Sequence, residues 1–175
     1  MNTCKHQHKW PVTIDLNRDE LLYDIKNMAY TEGKMMKDQN DEIRSHVQDI
    51  CEEGNIDRVN RMLDMAHAEC VELLFAYTKE AIEPITWEDN EPRCECCGVY
   101  SIEMFMPESF SQTTVTLLKN CVHDYMVDYV LADWLSSVDA NVAAKWTARC
   151  EEMKEKIGEA VNFRVRPVRR TLRPF

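Results

Sequence analysis

Residues 56–82 carry the feature that most constrains this chain. Ile56, Val59, Leu63, Ala66, Cys70, Leu73/Leu74, Tyr77 and Ala81 recur close to every 3.6 residues. That period predicts an amphipathic helix with one apolar stripe. Asn55 stands where an N-cap is needed, Gly54 suits the end of a preceding helix, and Pro84 stops the run. A stripe of this length must be buried against other helices, so the fold class follows from whether the rest of the chain supplies them.

It does. Asn17 followed by Glu20 has the spacing of a capping box, and Leu21, Leu22, Ile25, Met28, Ala29 and Met35/Met36 follow it. Asn40-Asp41-Glu42 opens a second helix with Ile43, Val47 and Ile50 as its stripe. Residues 112–136 carry Val115, Leu118, Val122, Tyr125/Met126, Tyr129/Val130 and Ala132. A last helix starts near Asp139 or Asn141 and carries Val142/Ala143, Trp146, Cys150, Met153, Ile157 and Ala160/Val161. The turn SSVDAN between these two is short and polar, so they should pack antiparallel.

Two stretches read differently. In 84–110, Ile85-Thr86-Trp87 and Val99–Met106 read as strands about the turn Asp89-Asn90-Glu91-Pro92, a β-hairpin at about 84–106. A third short strand, Val12-Thr13-Ile14, fits the N-terminal arm. The expectation is a mainly α fold: an antiparallel bundle of four or five helices over residues 1–163, with a small β-hairpin and an extended C-terminal arm at 164–175. Only four glycines and 45% apolar residues agree with it.

Chemistry-bearing motifs are sparse. Cys94, Cys96 and Cys97 form a CxCC cluster that could offer three thiolates to zinc, with Cys4, His6 and His8 as a further source of ligands. The paired CxxC spacing of structural zinc sites is absent, and a solvent-facing turn is the simpler reading. Cys51, Cys70, Cys121 and Cys150 fall inside helical patterns and read as small apolar residues. His46 and His67 lack HExxH spacing, and His123 and Asp124, adjacent on a helix, point about 100° apart and should not form a dyad. Asp124 and Asp128, four apart, share a face and could pair or hold a cation, although solvent is the commoner destination of such a face. Tyr125, Tyr129, Trp134 and Trp146 read as core. No GxSxG, phosphate loop or GxGxxG occurs, so neither catalysis nor a cofactor is expected.

No run of about eighteen apolar residues is present, so no membrane span is expected. MNTCKHQHKW has no apolar core and is not expected to be a signal peptide. The formal net charge is −10, and setting aside the five arginines at positions 164–173 leaves −15. A body that acidic repels nucleic acid, so only the arm could bind it. Arg164, Arg166, Arg169, Arg170 and Arg173 alternate with Val165, Val168 and Leu172, and the arm ends in Phe175. Pro167 and Pro174 prevent helix. Such a segment suits an extended strand that satisfies its backbone on a sheet edge or another subunit, with the arginines against the acidic body of a neighbour.

The last third of the chain resembles the head–tail connector (adaptor) proteins of tailed bacteriophages and prophages. The residues are "LLKNCVHDYMVDYVLADWLSS", then "AAKWTARCEEMKEKIGEAV", then "RVRPVRRTLRPF". "YSIEMFMPESF" is similar to phage-type proteins from gut Bacteroides-like bacteria. The resemblance implies a non-enzymatic helical bundle that forms a ring beneath the portal. Its arm would dock on a portal-like ring protein or another copy, in the cytoplasm of a bacterial host and then in the virion. Two other classes compete: a small zinc module using Cys94, Cys96 and Cys97, and a nucleic-acid-binding regulator using the arginine arm.

Overall fold

A computed structural model describes residues 9–36, 40–79 and 98–163. The order of elements is β1 (Lys9–Asn17), α1 (Arg18–Met35), α2 (Asp41–Gln48), a 3₁₀ turn (Asp49–Cys51), α3 (Ile56–Leu73), α4 (Phe75–Thr78), β2 (Val99–Pro107), α5 (Thr114–Ser136) and α6 (Ala140–Asn162). The mainly α architecture expected from the stripes is the one observed. Among the described residues the six helices include α4, a single turn that continues α3.

Local chemistry explains the boundaries. Asn17 caps α1, its side-chain oxygen accepting from Asp19 N at 2.9 Å, and Asp139 caps α6 by accepting from Asn141 N at 2.8 Å. Asn40 and Asn55 precede α2 and α3 without a side-chain cap. Asn55 instead donates Nδ2 to Asp49 O at 2.9 Å and ties α3 to the 3₁₀ turn. The helix expected to run unbroken to residue 82 is interrupted at Leu74, where φ is −95° and ψ is 9°. Beyond it Tyr77 N donates to Leu74 O, and Thr78 Oγ1 reaches back to Val71 O. The break turns Leu74 and Thr78 into the interior together.

The small antiparallel sheet has two strands among the described residues. Val99–Met106 is a strand, but its partner is β1, which runs antiparallel to it in the register Lys9↔Pro107 to Asn17↔Val99. Ile85-Thr86-Trp87 lies outside the described residues. Alternation hides this partner in the sequence, because only Ile14 and Leu16 of β1 are fully buried. On β2, Ile102, Met104 and Met106 face the same core.

Helix α5 is the hub, with α6, α3, α1 and β1 packed around it. Tyr125, Met126, Val127, Asp128, Val130 and Leu131 are all buried and Tyr129 is partly so, which leaves this stretch little solvent face. A helix apolar on all sides is a central helix. Buried residues of every element except α4's own apolar ones join one contiguous apolar cluster, from Ile14 to Val161. Cys70, Cys121 and Cys150 are buried in it and Cys51 packs at its margin, as small apolar residues should.

Candidate functional site

The residues expected to carry function, Arg164, Arg166, Arg169, Arg170, Arg173 and Phe175, lie outside the described residues. So do Cys94, Cys96 and Cys97, and with them Cys4, His6 and His8. What the structure does place is the end of the bundle from which the arm departs. Asp128 faces Arg149 at 3.3 Å, and Lys154 lies over the Tyr125 ring. As α6 advances, its partners on α5 therefore move back toward Thr114. The end of α6 at Asn162 therefore lies toward the start of α5.

The two edges of the sheet differ. Arg18 N donates to Gly98 O at 2.9 Å, one pair beyond Asn17↔Val99. In an antiparallel ladder every second pair is of this hydrogen-bonded kind. Leu16↔Tyr100, Ile14↔Ile102, Val12↔Met104 and Trp10↔Met106 therefore bond to each other, and the intervening residues point their N–H and C=O groups outward. On β2 the outward carbonyl of Ser101 meets His67 Nε2 of α3 at 3.2 Å, and Tyr100 donates its hydroxyl to Asp64 of the same helix at 2.9 Å. Helix α3 thus covers the β2 edge. The β1 edge has no such cover among the described residues. Pro11 falls on it, where its missing N–H costs no ladder bond.

The outer face of the sheet is polar. Asp15 accepts from Ser101 Oγ across the strands at 2.7 Å, and Thr13 stands opposite Glu103. At the start of α1, Asp19, Glu20, Tyr23 and Asp24 line a shallow groove of about 360 Å³ together with His123 of α5. There the expectation for His123 needs correction. Its Nδ1 lies 3.6 Å from Asp124 Oδ1, and its Nε2 lies 3.5 Å from Asp24 Oδ2. A protonated imidazole would be held by two carboxylates at once. The contacts are long for hydrogen bonds and suit charge pairing rather than proton transfer.

Asp124 and Asp128 do not make a paired-acid site. Asp124 is half exposed, whereas Asp128 is completely buried against α6. Burial pushes the Asp128 carboxyl up to about 6; Arg149 pulls against that shift, and Asp124 adds to it. A second polar cluster joins three helices. Tyr125 donates its hydroxyl to Glu69 of α3, and Lys154 of α6 lies 3.9 Å from the same carboxylate. Burial and this bond raise the Tyr125 phenol well above its ordinary range. A third pair, Lys145 Nζ to Glu32 Oε1 at 2.6 Å, clips α6 to α1.

Trp134 and Trp146 are core, as expected, and each carries a cation on its ring, Arg58 on the former and Arg149 on the latter. Among the described residues, no group of three His, Cys, Asp or Glu side chains is placed to hold a metal, and no helix is long and apolar enough to cross a membrane. Sequence reasoning missed Asp24, Glu32 and Glu69. Each is an ordinary polar residue on its own helix and acquires a partner only through a helix far away in sequence. No known protein family, curated protein or solved structure matches the chain.

Proposed function

We propose that this chain is a non-enzymatic assembly protein, a head–tail connector subunit of a tailed phage or prophage. It builds a ring by docking its basic C-terminal arm on other copies of itself and on a portal-like ring protein. The observation that carries the reading is the division of charge. The sheet face presents Asp15 and Glu103, and the α1–α5 groove presents Asp19, Glu20 and Asp24. The last twelve residues hold five arginines and no acid. Opposite charges on one chain favour association between copies, with electrostatics setting encounter and register and apolar burial supplying affinity.

The exposed apolar side chains fit a surface used for contacts. Tyr23, Met35, Met65 and Phe75 are each more than half exposed. Scattered singly they need no explanation, and around a docking arm they provide buried area. The place of action implied is the cytoplasm of a bacterial host, then the virion.

The test is native mass spectrometry of the full-length chain at low and high salt. Its comparison is a full-length variant with Arg164, Arg166, Arg169, Arg170 and Arg173 replaced by Gln. Salt-sensitive oligomers lost in the variant support the reading. A full-length chain that stays monomeric, alone and with a portal ring, and instead retards duplex DNA would overturn it in favour of a nucleic-acid role.

A further inference from the structure

The two sheet edges differ in a way that nothing in the core requires. The β2 edge is covered by His67, Tyr100 and Asp64, while the β1 edge leaves the N–H groups of Thr13 and Asp15 directed outward with no protein partner among the described residues. Both residues are exposed. An open strand edge is a template for another strand. We propose that the open edge of β1 receives the arginine-rich segment 168–173 of a second copy, which adds to the sheet as a third strand. This rests on the arm-docking reading above and names its receptor.

Three observations select that occupant. The first is charge. A strand added beside β1 places alternate side chains over the outer face, where Asp15 and Glu103 lie. In Val-Arg-Arg-Thr-Leu-Arg, Arg169, Thr171 and Arg173 fall on one side, and Val168, Arg170 and Leu172 on the other. Arg169 and Arg173 meet the two carboxylates, and Val168 and Leu172 extend the buried row of Ile14 and Leu16, with the long stem of Arg170 between them carrying its guanidinium to water. A second β1 would be a poor occupant of the same edge. It would set Asp15 near its own copy and bring a second Pro11 that cannot donate.

The second observation is hydrogen bonding. Segment 168–173 is bounded by Pro167 and Pro174 and contains no proline, so whichever alternate residues face the edge can donate to it. The third is direction. The arm of a second copy is free to enter from the Asn17 end and run antiparallel to β1, as β2 does, and antiparallel pairing is the more stable per residue.

The test places a photo-cross-linking phenylalanine analogue at Thr13 in full-length chain, mixing isotopically light and heavy copies. Cross-links from Thr13 to residues 168–173 that join light to heavy chains are the expected result. Thr13→Pro is the second variant. It removes one outward N–H and leaves the β1–β2 ladder intact, so it should weaken association about tenfold with an unchanged circular dichroism spectrum. Cross-links within one copy would mean the arm covers its own edge and overturn the proposal. Oligomers that form normally in Thr13→Pro and cross-link elsewhere would overturn the receptor and spare the assembly reading. A chain that never self-associates and yields no cross-link between copies would end both.

Discussion

Arg149 Nε lies 3.3 Å from Asp128 Oδ2, yet neither Asp128 oxygen has an aligned hydrogen-bond donor among the described residues. The two partners are unequal. The Asp128 side chain is 1% exposed, while that of Arg149 is 38% exposed and rests on the Trp146 ring. Attraction reaches the carboxylate, but the hydrogen bonds that would offset its desolvation are missing.

The inequality predicts opposite outcomes for the two deletions. Arg149→Ala strands a buried charge and should destabilise the fold by about 3 kcal/mol at neutral pH. Asp128→Asn removes that charge and leaves a guanidinium that water can reach, so it should be neutral or stabilising by about 1 kcal/mol. The double variant should lie near Asp128→Asn. Urea denaturation of the three proteins checks this, and equal losses from both single changes would refute it.

A pH dependence follows from the same carboxyl. Its folded pKa of about 6 is above the ordinary 3.8, so between these values the folded state holds more protons than the unfolded state. Stability contributed at this site therefore rises as pH falls from about 6 to about 4, and the cost of the buried charge is fully present above 6. Other carboxylates titrate in the same range, so the quantity to measure is the difference between the native chain and Asp128→Asn. The native chain should gain on the variant across this window. A constant difference would mean that Asp128 does not titrate there.

Two glycines in helices should respond with opposite signs. A Cβ at Gly158 on α6 would meet nothing within 4 Å, so Gly158→Ala should stabilise by about 0.5–1 kcal/mol through helix propensity. A Cβ at Gly33 on α1 would stand 2.8 Å from Gln48 Cγ and 3.1 Å from its Nε2. Cγ is close to the backbone of α2 and cannot swing away freely. Gly33→Ala should therefore forfeit the propensity gain and lower stability by about 1 kcal/mol. Thermal melts read both, and equal gains would show that α2 yields.

The core thiols should be silent in the native state. Burial first, and Glu69 second, push Cys70 up to about 12, and burial followed by Asp128 does the same for Cys150. Thiolate is the reactive species, so iodoacetamide at pH 8 should leave both unmodified until denaturant is added. Peptide mass spectrometry of the alkylated chain checks this. Rapid native labelling of Cys70 would show that α3 opens away from α5 and α6.

Much of the fold was legible because helices are local. The stripes at Ile56–Tyr77 and Leu118–Val130, the caps at Asn17 and Asp139 and the short turn SSVDAN marked helix positions and the antiparallel α5–α6 pair, since each signal lies within a few residues of what it controls. The same locality limited the reading elsewhere. A carboxylate four residues from Asp124 reads as solvent-facing until α6 covers it. His123 reads as unpaired until α1 brings Asp24 to its other nitrogen.

What the sequence determined by itself is therefore the helical class, the element boundaries within a few residues, and the segregation of charge between an acidic body and a basic arm. The tertiary structure decided which strand pairs with Val99–Pro107, which edge of that sheet α3 covers, and which acids are buried. The reason is range. Periodicity and capping are set by hydrogen bonds and side-chain directions within one or two turns, whereas strand pairing and burial depend on contacts such as Ile14 with Ile102, separated by half the chain.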